Sequence, residues 1–239
     1  MRAAVASLAL PAVAPSRSSR SSPSPSSRRR PSPASSRARR RSSAIASSSS
    51  SSDATASTQI AALAGRLRAE AGDANGVDRD ETQRASIARI IAEIDALNPT
   101  RDTAAVDLAG TAWDLVYTDS QGNSSGKIGP FVGAVTQIFD ADADPKKPGS
   151  GSTYANIVTF GPARLKLRAV AEGVAKKPTT LKVTFEDVTA EVFGRDVFAK
   201  PFPKGRAGTW TVTHASEALR VLRTNQGNVF VLAKQRESS

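Results

Sequence analysis

The chain has 239 residues, with 33 lysines and arginines against 22 acids, a formal net charge of +11 and no cysteine. That length fits one ordinary domain with extensions, and the lack of cysteine excludes disulfides, thiol nucleophiles and cysteine-ligated zinc. The charge suggests a polyanion partner only until it is located. Residues 1–52 hold ten arginines and no acid, which leaves 23 basic against 22 acidic residues in the remainder, so that part exerts no long-range pull on nucleic acid.

The same stretch, 1–52, contains twenty serines and six prolines, a composition that buries too little apolar surface to fold. An acid-free, arginine- and serine-rich start opening MRAAVASLALPAVA reads as an organelle transit peptide, with processing expected near Ile45-Ala46-Ser47. Two rival readings carry less weight. A secretory signal built on Val5–Ala14 would meet Pro15 directly after its cleavage site, and arginine-serine pairs such as Arg17-Ser18 and Arg41-Ser42 would suit a nuclear interaction tail. Plastid is favoured over mitochondrion, because no amphipathic arginine helix forms across so many prolines. No run approaches the ~18 apolar residues that a membrane-spanning helix needs, so no transmembrane segment is expected.

A helical lead-in is expected over residues 53–101. Ile60, Leu63, Ala64 and Leu67 recur at helical spacing within Thr58–Ala71, and Gly72–Gly76 breaks the pattern. A second helix, about Glu81–Leu97, carries Ile87, Ile90, Ile91, Ile94 and Leu97 on one face, with Asp80 as N-cap and Pro99 as stop. Its polar face mixes both signs of charge, which favours packing on its own domain over a membrane surface.

From residue 102 the hydrophobic period becomes two. Trp113, Leu115 and Tyr117 alternate with Ala112, Asp114 and Val116, and Val135, Gln137 and Phe139 with Ala134, Thr136 and Ile138. Further strands are expected over Tyr154–Phe160, around Leu165, Leu167 and Ala169, and around Leu181, Val183 and Phe185. The apolar parity then shifts through Val188, Ala190 and Val192, which predicts a bulge or corner near Asp187. Trp210 and Val212 carry the next strand, followed by Leu219–Arg223, a tight turn at Asn225-Gln226-Gly227, and Val229–Lys234. Asp140–Ser152 and Lys200–Gly208 read as irregular rim loops. Eight or nine short strands with no helix between them predict an all-β, antiparallel, lipocalin-like barrel over residues 102–239, preceded by one or two α-helices.

The motifs that carry chemistry are few. Gly122–Lys127 looks like a phosphate-binding loop, yet it has one residue too few between its glycines and Ile128 where a Ser or Thr is needed. His214 is the sole histidine, so a multi-histidine metal site is excluded and any catalytic triad would rest on that one residue. The acids Asp114, Glu172, Glu186, Asp187, Glu191 and Glu217 are scattered over strands, where ion pairing is their ordinary role. Neither an enzyme, a metal site nor a cofactor is expected. Inward-facing Trp113, Leu115, Tyr117, Phe139, Leu165, Leu167, Val183, Phe185, Trp210 and Val212 fit either a packed core or the lining of a cavity for a long apolar molecule.

GTAWDLVYT, SGKIGPFVGAVTQIFD, AGTWTV and LRVLRTNQGNVFVLAK, in that order, resemble the plastid-lipid-associated protein (fibrillin) family over roughly Ile87–Lys234. The resemblance implies a lipocalin-like barrel in chloroplasts, at thylakoids or at the lipid droplets called plastoglobules. It also implies a role in binding, storing or supplying prenyl-lipids and related apolar lipids. Gly110-Thr111-Ala112-Trp113 is similar to the G-x-W start of lipocalins with one residue more, and Arg220 or Arg223 would be the late-strand arginine that covers the tryptophan. Where the family commonly has an acidic run similar to YLDEDLR, this chain reads His214 to Arg220 with Glu217 as its one acid. Two functions are therefore expected. The first is a barrel that holds an apolar lipid. The alternative is a coat or scaffold protein that sits on lipid surfaces through Arg164, Lys166 and Arg168.

Overall fold

A computed structural model of the chain describes residues 49–140 and 152–235. The processing site, nearly all of the expected transit peptide and the interior of the Asp140–Ser152 loop lie outside the described residues. Two helices come first, α1 (Ser49–Ala71) and α2 (Glu81–Ala96), and α1 begins well before the expected Thr58. Asp80 caps α2 as expected. Its carboxylate accepts the Gln83 N–H at 2.8 Å, while the Gln83 side chain accepts the Asp80 N–H at 3.0 Å, so two orphan donors are satisfied at once.

The isoleucine stripe explains where this helix sits. Ile87, Ile90, Ile91 and Ile94 are at most 2% exposed. They pack with Ile60, Leu63 and Leu67 of α1 against Tyr117, Leu219, Val221, Val229 and Val231 of the sheet. Each buried isoleucine contributes about 1.5–3 kcal/mol, so packing holds the helix pair more than intrinsic propensity does.

Among the described residues eleven strands follow, namely β1 (Ala112–Thr118), β2 (Lys127–Ile128), β3 (Phe131–Val132), β4 (Ala134–Phe139), β5 (Ser152–Phe160), β6 (Ala163–Val174), β7 (Lys177–Val192), β8 (Arg195–Pro201), β9 (Ala207–Ala215), β10 (Leu219–Thr224) and β11 (Val229–Lys234). The main sheet runs β6-β5-β4-β1-β11-β10-β9-β7-β8, and β6 also pairs with β7. That second pairing closes β1, β4, β5, β6, β7, β9, β10 and β11 into an antiparallel ring in which neighbours in sequence are neighbours in space. Closure removes the unpaired edges of the ring that would otherwise join to other chains, and β8, paired with β7 alone, lies outside it.

β7 is the longest strand, and it changes partner midway. Thr180–Thr184 pair with β9, whereas Asp187–Val192 pair with β8. Opposite it, Arg168 faces Asp187 but Ala169 faces Phe185, which leaves Glu186 as the extra residue of a bulge. The parity shift at Asp187 predicted this feature. By contrast, β8 was not expected. Lys200–Gly208 is not a loop throughout, because Lys200 and Pro201 end β8 while Ala207 and Gly208 begin β9. The glycine-rich stretch before β4 also contains the small β2–β3 hairpin.

One end of the ring is sealed by the chain that leads into β1. Asn98 accepts the Ala215 N–H at 3.0 Å, the Thr103 hydroxyl donates to the Val212 carbonyl at 2.7 Å, and Leu108 enters the interior cluster. Gly110, with φ 69°, makes the turn into β1 while its N–H reaches the Phe139 carbonyl at 3.1 Å. At the other end lie the β2–β3 hairpin and the β5–β6 and β7–β8 turns.

Candidate functional site

The barrel interior is the place to look for a ligand, and the alternation of strand residues decides what faces it. Trp113 and Leu115 of β1, Phe139 of β4, Val183 of β7 and Val212 of β9 form one buried cluster with Tyr154, Val158, Ala169, Leu222 and Leu232. Leu165, Leu167, Phe185 and Trp210 pack against this cluster but are only partly buried. Nine of the ten side chains expected to line the barrel therefore meet there. The tenth, Tyr117, belongs to the cluster under the helices. A register shift between Leu115 and Tyr117 turns it to the outer face, where its ring lies under Gly76.

Exposure is graded along the barrel axis. At the sealed end the lining is dry, with Trp113 3%, Phe139 2% and Tyr154 1% exposed. The rings stack in sequence, Phe139 to Tyr154 at 5.4 Å and Tyr154 to Trp210 at 5.4 Å between centroids. The indole N–H of Trp113 donates to the Thr111 hydroxyl at 2.8 Å, so its polar edge is satisfied. Towards the far end, the apolar side chains of Phe160, Leu165, Leu167, Trp210 and Phe230 still pack on the interior cluster yet remain half-buried. The floor is therefore solid, while the upper lining mixes fully buried Val135 and Val158 with these partly accessible larger side chains.

A charged group stands in the floor. Arg220 of β10 is fully buried, with its guanidinium carbon 5.5 Å from the Trp113 ring centre and 5.3 Å from that of Phe139. Arg220 therefore takes the part of the late-strand arginine. Arg223 does not, because it lies on the helix side and pairs with Asp95 of α2 at 3.0 Å. Among the described residues no carboxylate pairs with Arg220, and its Nη1 has no hydrogen-bond partner. Burial pulls its pKa down to about 10, against a small opposing effect of Tyr154, so it stays charged at neutral pH. Gln137, across the ladder from Trp113, likewise has a buried and unpartnered Oε1. Burial also raises the Tyr154 hydroxyl far above its ordinary range, so it stays protonated.

Chemistry outside the barrel is sparse. His214 packs under α2 with both ring nitrogens unpartnered, and burial lowers its pKa against the raising effect of the Ile94 backbone and Asp95. It faces no acid–nucleophile set. No cluster of three metal-ligating side chains exists among the described residues, and no described helix is long and apolar enough to cross a membrane. The basic trio lines a groove of about 630 Å³ on the outer face of β5–β8. Arg164, Lys166, Arg168 and Lys200 share it with Asp187, Glu191 and Asp196. Arg168 is bound to Asp187 at 2.6 Å, and Arg164 stands opposite Glu191. Acids thus stand beside most of the basic residues expected to form a cationic surface.

Two features were missed by reading the sequence. Phe131 in the β2–β3 hairpin is 68% exposed, and Phe193 in the β7–β8 turn is 80% exposed. Gly194, directly after Phe193, was the available signal that a hairpin turns there.

A PAP_fibrillin family model matches residues 66–233, from within α1 to the last strand. The chain belongs to this family, which is plastid- and lipid-associated and generally non-enzymatic. No curated protein and no solved structure matches it.

Proposed function

We propose that this PAP/fibrillin protein is a non-enzymatic barrel that holds an apolar isoprenoid, prenyl-lipid or related lipid in its upper interior at thylakoids or plastoglobules. The observation that carries this reading is the graded interior. Leu165, Leu167, Phe160, Trp210 and Phe230 face the barrel yet remain partly accessible, while the floor beneath them is dry. Burying such a lining against a lipid releases about 25 cal/mol per Å² of apolar surface, before the entropic costs of binding. The residues proposed to touch the ligand are those of the upper lining, with Trp113, Phe139 and Arg220 as floor. Residues 1–52 are proposed as the plastid transit peptide.

The test is extraction of protein purified from chloroplasts, with mass spectrometry of any bound lipid, and titration of tryptophan fluorescence with a prenylquinone. A stoichiometric prenyl-lipid and quenching of Trp210 are expected. A lipid-free protein with unchanged fluorescence overturns the reading. The coat alternative, resting on Arg164, Lys166 and Arg168, has weaker support because Asp187 and Glu191 stand against two of the three.

A further inference from the structure

The rim opposite the sealed end carries apolar side chains that the barrel leaves exposed. Phe193 is 80% exposed, Phe131 68% and Val197 61%. Phe193 also has φ 51°, a left-handed conformation that costs a bulky side chain about 1 kcal/mol or more. The fold gets nothing in return, since the ring points into solvent. An asparagine or glycine there would make the same turn at lower cost.

Both aromatic tips lie on one rim. The Phe193 N–H reaches the Pro162 carbonyl of the β5–β6 turn at 3.0 Å. On the other side of that turn Gly133, next to the β2–β3 hairpin, lies so close to Phe160 that an added Cβ would come 2.8 Å from its ring. Cations stand just behind each tip. Arg195 flanks the Phe193-Gly194 turn opposite Val192, Arg164 is one rung down, and Lys127 pairs with Val132 beside Phe131. Glu191 and Asp196, paired with each other, offset two of these charges.

We propose that this rim docks on a lipid surface, with Phe131 and Phe193 entering the acyl boundary and Arg195, Arg164 and Lys127 lying at headgroup depth. The proposal rests on the lipid-associated reading above, but not on the barrel being filled. The shape decides in favour of lipid. The two rings stand on separate turns, and a fluid surface buries each of them independently without a partner shaped to hold both. The near-balance of charge makes insertion the driving force, so docking does not require anionic lipid. Docked this way, the accessible half of the barrel faces the membrane, while the sealed end faces away.

The full chain is mixed with phosphatidylcholine vesicles, with or without 30% phosphatidylglycerol, and bound protein is separated by flotation. Phe131→Ser with Phe193→Ser is expected to lower partitioning about 100-fold on both vesicle types, near tenfold per ring. Lys166→Glu with Arg168→Glu, further down the outer face and outside the docking set, is expected to change it less than threefold on phosphatidylcholine. Both variants should retain prenylquinone quenching in solution, which separates failure of docking from failure of ligand binding. Wild-type partitioning by the aromatic double variant overturns the proposal. So does loss of binding in the charge variant alone. If the wild type ignores vesicles but self-associates through the aromatic tips, the surface joins two copies and the proposal also falls.

Discussion

Arg220 offers the most direct test of how the barrel floor is held. Moving its pKa from 12.5 to about 10 means that burial disfavours the charged form by about 3 kcal/mol, at roughly 1.4 kcal/mol per unit. The faces of Trp113 and Phe139, both within 5.5 Å, return up to about 2 kcal/mol each at a desolvated site. The two effects nearly cancel. Arg220→Met retains most of the volume and removes both effects, so stability should change by no more than about 1 kcal/mol. Arg220→Ala removes the volume as well, and the resulting cavity should cost about 2–5 kcal/mol. Urea unfolding followed by tryptophan fluorescence measures both directly. A loss for the methionine variant as large as for alanine would refute the balance. It would mean that something inside the barrel pairs the guanidinium, and an anionic ligand head would be the first candidate.

Other outcomes follow from the same packing. Gly76→Ala places a Cβ 2.3 Å from the Tyr117 ring at φ 79° and should cost about 2–4 kcal/mol. Gly129→Ala, with φ 61° but open space around it, should cost about 1 kcal/mol in the same urea assay. Because burial lowers the His214 pKa below 6.5, the unfolded chain binds more protons as pH falls from about 7, and folding stability drops with it. His214→Leu should flatten that fall between pH 7 and 5, and an unchanged slope would assign it to other groups. Phe193→Asn should raise the melting point of the isolated protein through about 0.5–1 kcal/mol of relieved backbone strain, while weakening vesicle binding. With prenylquinone bound, hydrogen exchange should slow around Phe160, Leu165, Leu167, Trp210 and Phe230 more than in β10. Uniform protection would put the lipid elsewhere.

Much of the barrel could be read from the sequence because its strands have one wet face. Leu165, Leu167 and Ala169 alternate with Arg164, Lys166 and Arg168. The slip to Val188 and Ala190 marked the Glu186 bulge for the same reason. β10 gave no such signal. Its first four residues are all buried, because one face meets the interior and the other meets the helices. That left Arg220 and Arg223 equivalent on paper, though their three-residue spacing puts them on opposite faces. Tyr117 was assigned inward because a bulge inside β1 leaves the printed alternation intact while turning the side chain over. β8 is exposed on both faces and ends in proline. Only its pairing with β7 makes it a strand, and that is a long-range fact that no local pattern carries.

The change of partner along β7 ties the fold to the proposed activity. Below the bulge, β7 is held between β6 and β9 and belongs to a closed wall. Above it, β9 has not yet begun and β8 takes its place beside β7, while β5 and β4 still run beside β6. The inner face of this stretch carries Leu165 and Leu167 opposite Ala190 and Val188, its outer face the mixed-charge groove, and its tip Phe193. Leu165 and Leu167 are only partly buried there, and a lipid lying along them covers their remaining apolar surface without any movement of the floor. The same element that leaves the barrel accessible also carries the aromatic tip towards a lipid surface. A ligand entering from that surface would then pass along Leu165 and Leu167 before it meets Trp210 and the floor, and would stay out of water for the whole path.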